Sequence, residues 1–117
     1  MTVRWIVGSS TLTVSHLGTE YVLVPIAASK AGVPYNPTAD VVQFAFMPND
    51  VQVPQVSDWV NGSWETVATN IIYPYNARCL VGSSGSTALT AGNYVMYLKI
   101  TDSPEVPVLV GGQLVIF

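Results

Sequence analysis

The chain has 117 residues, of which 50% are hydrophobic and only 9% are Asp, Glu, Lys or Arg, with a formal net charge of −3. Its cations, Arg4, Lys30, Arg78 and Lys99, are scattered one by one, which excludes a nucleic-acid partner, since that affinity comes from neutralising several phosphates together. No apolar run reaches the roughly 18 residues of a membrane span, and residues 1–8 lack the apolar core of a signal peptide, so one domain over residues 1–117 is expected, made in the cytosol, with no membrane partner.

An ordinary soluble domain is roughly a quarter charged. A small protein uses charge to stay apart from its own copies, so this deficit reads as surface meant to be covered by neighbours.

Residues 20–26 are β-branched and apolar on both parities, which predicts a strand buried on two sides or in contact with a partner. Tyr21 and Leu23 are therefore candidate interface residues. Pro25 has no N–H for a ladder, so the strand lies at an edge or carries a bulge there. Residues 31–37 are a loop dense in turn formers. Residues 40–47 form a second strand, with Val42, Phe44 and Phe46 on one face and Gln43 on the other, ended by Pro48, Asn49 and Asp50. Residues 51–58, with Pro54 inside, read as an irregular or edge segment, and Val53 and Val56 join the candidate contacts.

The segment from Trp59 to Trp64 carries Asn61-Gly62, the pair favoured in a type I′ hairpin turn. That register sets Val60 against Ser63 and Trp59 against Trp64, although it also places Glu65 opposite Asp58. The plain reading is an aromatic pair packed onto the core or a subunit. The functional alternative is a sugar-stacking platform of Trp59 and Trp64, extended by Tyr73 and Tyr75 around Pro74.

Cys79 is the single cysteine, so no intrachain disulfide forms. Inside the apolar run 77–81 it reads as a small buried hydrophobe, with Arg78 on the opposite face. Residues 82–86 are a flexible hairpin tip; neither Lys nor a helix follows to make a phosphate cradle. Residues 94–100 give the clearest strand, with Tyr94, Met96, Leu98 and Ile100 toward the core and Tyr97 and Lys99 outward. A turn at 101–105 leads to residues 106–110, Gly111-Gly112 and a closing strand, where Leu114, Ile116 and Phe117 are further candidate contacts.

No window has helical spacing, and Pro and Gly punctuate the segments at sandwich-like intervals. The expected fold is all-β, a single antiparallel β-sandwich, immunoglobulin-like but without the Cys…Trp…Cys pattern of antibody domains.

Reactive chemistry finds little footing. His16 is the only histidine, with no Cys or second His nearby for zinc. No Gly-x-Ser-x-Gly elbow supports a triad. Asp102 and Glu105 share a turn where a calcium ion is conceivable, but such sites recruit more oxygens. The expectation is a non-enzyme without metal or cofactor.

Two passages carry a resemblance. Leu89-Thr90-Ala91-Gly92-Asn93-Tyr94, the strand after it, and the Thr101-to-Pro107 turn resemble the end of small immunoglobulin-like virion proteins of tailed phages, among them baseplate upper protein N-terminal modules and short structural proteins of actinobacterial phages. Residues 32–44 are similar to their "Gly-x-Pro … Thr-Gly-Ala-x-Val-x-Phe" passage, with Ala39 and Asp40 in a slightly altered spacing.

The resemblance implies a virion structural role as a capsid decoration, head-tail connector or tail/baseplate subunit. Its partners would be other virion proteins and copies of itself, and no catalytic residues transfer. A host glycan bound at the Trp/Tyr platform is the alternative. A chaperone or inhibitor using an exposed edge strand for β-augmentation is a third, with no specific support in the sequence.

Overall fold

The computed structural model describes residues 3–48, 53–66, 72–85 and 87–117. The described residues form ten strands: β1 (Val3–Val7), β2 (Ser10–Val14), β3 (Thr19–Lys30), β4 (Val33–Pro34), β5 (Val41–Met47), β6 (Val60–Asn61), β7 (Ser63–Thr66), β8 (Tyr75–Gly82), β9 (Gly92–Thr101) and β10 (Val108–Ile116). Among the described residues the only helix is a 3-10 turn at Val56–Asp58. The first sheet runs β1-β3-β8-β7, with β4 also on β3, and the second runs β2-β10-β9-β5-β6.

The chain is all-β, and the two sheets enclose one core. Period-two alternation decides which side chains enter it. Val22, Val24 and Ile26 come from β3, and Ala77, Cys79 and Val81 from β8. Val42 and Phe44 of β5, Met96, Leu98 and Ile100 of β9, and Leu114 and Ile116 of β10 meet them from the second sheet. Phe46 packs on this core half-buried, its ring stacked 6.0 Å from that of Phe44.

The structure corrects four expectations. The first concerns Leu114 and Ile116, which are core rather than contact residues. Gly111 forms a bulge in β10 between Val110 and Gly112, and the following parity is turned inward. A Cβ on Gly111 would stand 2.4 Å from Leu98 Cδ1, so only glycine fits that approach.

Second, the Trp59–Trp64 hairpin does not form. β6 pairs with β5 in the second sheet, whereas β7 pairs with β8 in the first. Asn61-Gly62 is a crossing between sheets, and neither residue has positive φ. Gly62 is required there by space: a Cβ would lie 2.7 Å from the Arg78 carbonyl oxygen and 2.8 Å from the Phe44 ring.

Third, the second sheet is mixed, because β2 runs parallel to β10. Fourth, of the two readings given for β3, burial on both sides does not hold: the strand buries one face, and Tyr21 and Leu23 stand on the other.

Pro25 does sit at an edge. β3 pairs with β8 from Thr19 to Ile26 but with β1 only from Ile26 to Lys30. The Gly8 N–H donates to the Pro25 carbonyl at 2.9 Å, and there the chain leaves for the second sheet.

Of the segments read as turn or edge, Asn49, Asp50, Val51, Gln52 and Ser86 lie outside the described residues.

Candidate interaction surface

The residues with chemical potential are each engaged locally. His16 Nδ1 lies 2.6 Å from the Phe117 carbonyl oxygen, and the His16 backbone N–H donates to the same oxygen at 2.8 Å. This clamp ties the end of β10 to the turn after β2. Cys79 is buried, and burial pushes its thiol up to about 11, so it stays protonated at neutral pH. Asp102 and Glu105 close their turn through their own backbones, each N–H donating to the other's carbonyl at 2.9 and 2.8 Å. Among the described residues no three of His, Cys, Asp and Glu come together.

The two tryptophans of the expected sugar platform are separated. Trp64 points inward from β7, packs on the core and donates Nε1–H to the Asp40 carbonyl at 2.9 Å. Trp59 lies beside the second sheet with Lys99 Nζ 4.7 Å from its ring centre. Tyr73 lies against Gly8, and Tyr75 opens β8 opposite Ile26. The crossing at Gly62 is what parts the two indoles.

A different aromatic cluster sits at the end of the first sheet. Trp5 and Tyr35 meet edge to face at 6.2 Å, and Lys30 Nζ is 5.8 Å from the Tyr35 ring centre. The Tyr35 hydroxyl donates to Asp40 Oδ2 at 3.0 Å. Partial burial and the adjacent Asp40 carboxylate push its phenol up to about 12.

The extended candidate surface is the outer face of the second sheet. Strand pairing places its side chains in rows. Val110, Tyr97 and Ala45 share one row; Val108, Lys99 and Gln43 share the next; Gln113, Val95 and Met47 share a third. Val41 stands opposite Thr101 at the margin. Val41, Val108 and Val110 are 56%, 53% and 55% exposed, while Ala45 and Met47 are buried. Within these rows Lys99 is the one charged residue, and it rests over Trp59 rather than facing a carboxylate.

Exposed valines alternating with half-buried apolar neighbours make a face poorly suited to permanent contact with water.

The remaining expected contacts are distributed over separate elements. Tyr21 and Leu23 lie on the outer face of the first sheet, Val53 and Val56 precede β6, and Phe117 follows β10. Val53, Val56 and Phe117 are exposed, Tyr21 is about half exposed, and Leu23 is half-buried. The valine rows of β10 were missed from sequence. Their signal is the run 106–110, in which Pro107 is the only residue that is not Val or Leu.

Comparison with protein-family models, with curated proteins and with solved structures finds no match to this chain.

Proposed function

We propose that the protein is a non-enzymatic structural subunit that functions by packing into a permanent assembly, and that this assembly is the virion of a tailed phage. The observation that carries the reading is the outer face of the second sheet, where exposed Val41, Val108 and Val110 surround a single cation. Permanent interfaces bury roughly 2,000 Å² or more and are apolar at their centre. This face supplies such a centre, with Gln43, Asn61, Gln113 and Thr11 as polar surroundings.

An immunoglobulin-like β-sandwich is supported by sheet membership. The sets β1-β3-β8-β7 and β10-β9-β5-β6 correspond to the ABED and GFC-type sheets of that architecture. The virion placement rests on the two resembling passages. Gly92 of the first, at φ 153°, opens β9 just before Tyr94. The second runs from Gly32 through the loop into β5.

Two measurements test the proposal. Mass spectrometry of purified particles is expected to find the chain, and sedimentation of the isolated protein is expected to show concentration-dependent association. A strictly monomeric protein that is missing from particles would remove the proposal. A shift of indole fluorescence with host-wall glycans, lost in Trp59→Ala, would favour the adhesion alternative instead.

A further inference from the structure

We propose that the open edge of β3 pairs with the same edge of a second copy, antiparallel and centred on Tyr21, so that the first sheets of two subunits join into one. The inference rests on the assembly reading above in that copies must meet, and it names where they meet and in which register.

β1 leaves β3 at Ile26, so residues 19–25 have β8 on one side and no strand on the other among the described residues. Backbone groups in an antiparallel strand alternate between its two sides. The Pro25 carbonyl faces the β1 side, where it accepts from Gly8. Leu23, Tyr21 and Thr19 share that parity, so their N–H and C=O groups face the open side. Val22 and Val24 bond instead toward β8. A cleft of about 330 Å³, lined by residues 11–14 of β2 and 20–23 of β3, lies beside this edge. An unpaired run of this kind is a template for another strand.

The geometry favours a second copy as occupant, because the open outward residues Thr19, Tyr21 and Leu23 are symmetric about Tyr21. Under two-fold symmetry, outward-facing residues must meet outward-facing residues. Centred on Tyr21, Thr19 of each copy meets Leu23 of the other, and Tyr21 meets Tyr21. A register centred on Leu23 would bring Thr19 against Ala27, a position already paired with Ile6. A register centred on Thr19 would use Leu17, which belongs to the turn closed by the Gly18 N–H to Ser15 carbonyl bond at 3.1 Å. Registers centred on Glu20 or Val22 pair only two of the three open outward residues, whereas the Tyr21 register pairs all three and stops at both ends.

Charge agrees with this pairing. Glu20 would face Val22 of the second copy, so no like charges oppose one another. The Arg78 guanidinium lies 4.4 Å from the Tyr21 ring centre, held on the outer face where the two Tyr21 rings would adjoin. An edge of this length buries less than the roughly 1,200 Å² of a stand-alone stable interface, so it acts together with the valine face.

Cysteine cross-linking tests the register. Facing residues of a hydrogen-bonded antiparallel pair have Cα atoms about 5.5 Å apart, inside the roughly 4.4–6.8 Å span of a disulfide. Mild oxidation of Tyr21→Cys is therefore expected to give a covalent dimer on a non-reducing gel, at about tenfold or greater yield than Leu23→Cys, whose symmetry mate lies several residues away. Cys79 is buried and leaves the wild-type baseline low. Tyr21→Pro removes an outward N–H without touching the β8 ladder. It is expected to weaken self-association by about tenfold or more, with the chain still folded and its melting temperature lowered only by the few degrees that loss of the Arg78 contact costs.

Equal cross-linking of Leu23→Cys and Tyr21→Cys, or undiminished association of a folded Tyr21→Pro, overturns the pairing and leaves the proposed function standing. A wild-type chain that is monomeric at every concentration also overturns the pairing, and it removes the proposed function only where the chain is missing from particles as well.

Discussion

The outer faces of the two sheets are built from the same alternation and differ in how their charges are partnered. On the first sheet Arg78 donates Nε–H to Ser63 Oγ at 2.9 Å, approaches Glu65 Oε2 at 3.5 Å and lies over the Tyr21 ring. Arg4 stands exposed on the same sheet. On the second sheet Lys99 has no carboxylate partner among the described residues, and valines occupy the positions where a wet face would carry charge. A face that stays in water forms a cross-strand polar ladder. A face whose polar contact across strands is limited to Gln43 and Asn61, beside a lone cation, is suited to being covered.

The contrast is most directly challenged by stability measurements. Phe44→Ala, on the inner side of β5, is expected to lower the unfolding free energy by about 3–5 kcal/mol. Val110→Ala, on the outer side of β10, is expected to change it by less than about 0.5 kcal/mol. Denaturant melts of both would show the outer face to be a second core if the two losses matched.

Next in size is the effect on association. Val108→Lys with Val110→Lys places new charges on the valine rows and is expected to weaken self-association about tenfold or more. Ile6→Lys, an equally drastic change on the outer face of the first sheet, is expected to leave it unaltered. Sedimentation at matched concentrations distinguishes the faces, and equal effects would erase the difference between them.

Arg78→Met sharpens the other half of the comparison. The pair with Glu65 is partly exposed, so it and the contact with Tyr21 together are worth about 1 kcal/mol. Urea melts at low and high salt should show that loss, smaller at high salt.

The smallest effect concerns Asp40, beneath the Tyr35 ring cluster. Burial, reinforced by Asp102, raises its carboxyl above the ordinary 3.8 against the opposing pull of the Tyr35 hydrogen bond and Lys30. The folded chain therefore holds this proton more tightly than the unfolded chain. Stability from this group is present at low pH and declines as pH rises from 3.8 through the raised value. Unfolding measured across that window should flatten in Asp40→Asn, and an unchanged slope would place the titration elsewhere.

Much of the core was legible from alternation. In β9 the inward set Met96, Leu98 and Ile100 is buried as the period predicts. Cys79 is buried between Arg78 and Leu80, and Pro25 marks an edge, because these properties depend on parity and on a missing N–H. Elsewhere alternation was silent. In β10 and the run before it both parities are apolar, so nothing local separated Leu114, which is core, from Val110, which is not. The bulge at Gly111 shifts the parity between them.

The Trp59–Trp64 hairpin failed for a different reason. Asn61-Gly62 is a strong local turn signal, and a hairpin closes the shortest loop. The partners that prevailed, β5 for β6 and β8 for β7, lie farther away in the chain. Gly62 is required by the Arg78 carbonyl and the Phe44 ring, neither of which is near it in sequence.

Composition and period-two alternation were sufficient to establish an all-β chain, most of its inward residues and its poverty of charge, since each is a property of neighbouring residues. Sheet membership, the parallel placement of β2, the open edge of β3 and the uncovered valine rows were settled only by tertiary pairing. Each depends on which strand arrives beside which, and that choice is made by packing over the whole core rather than by any single segment.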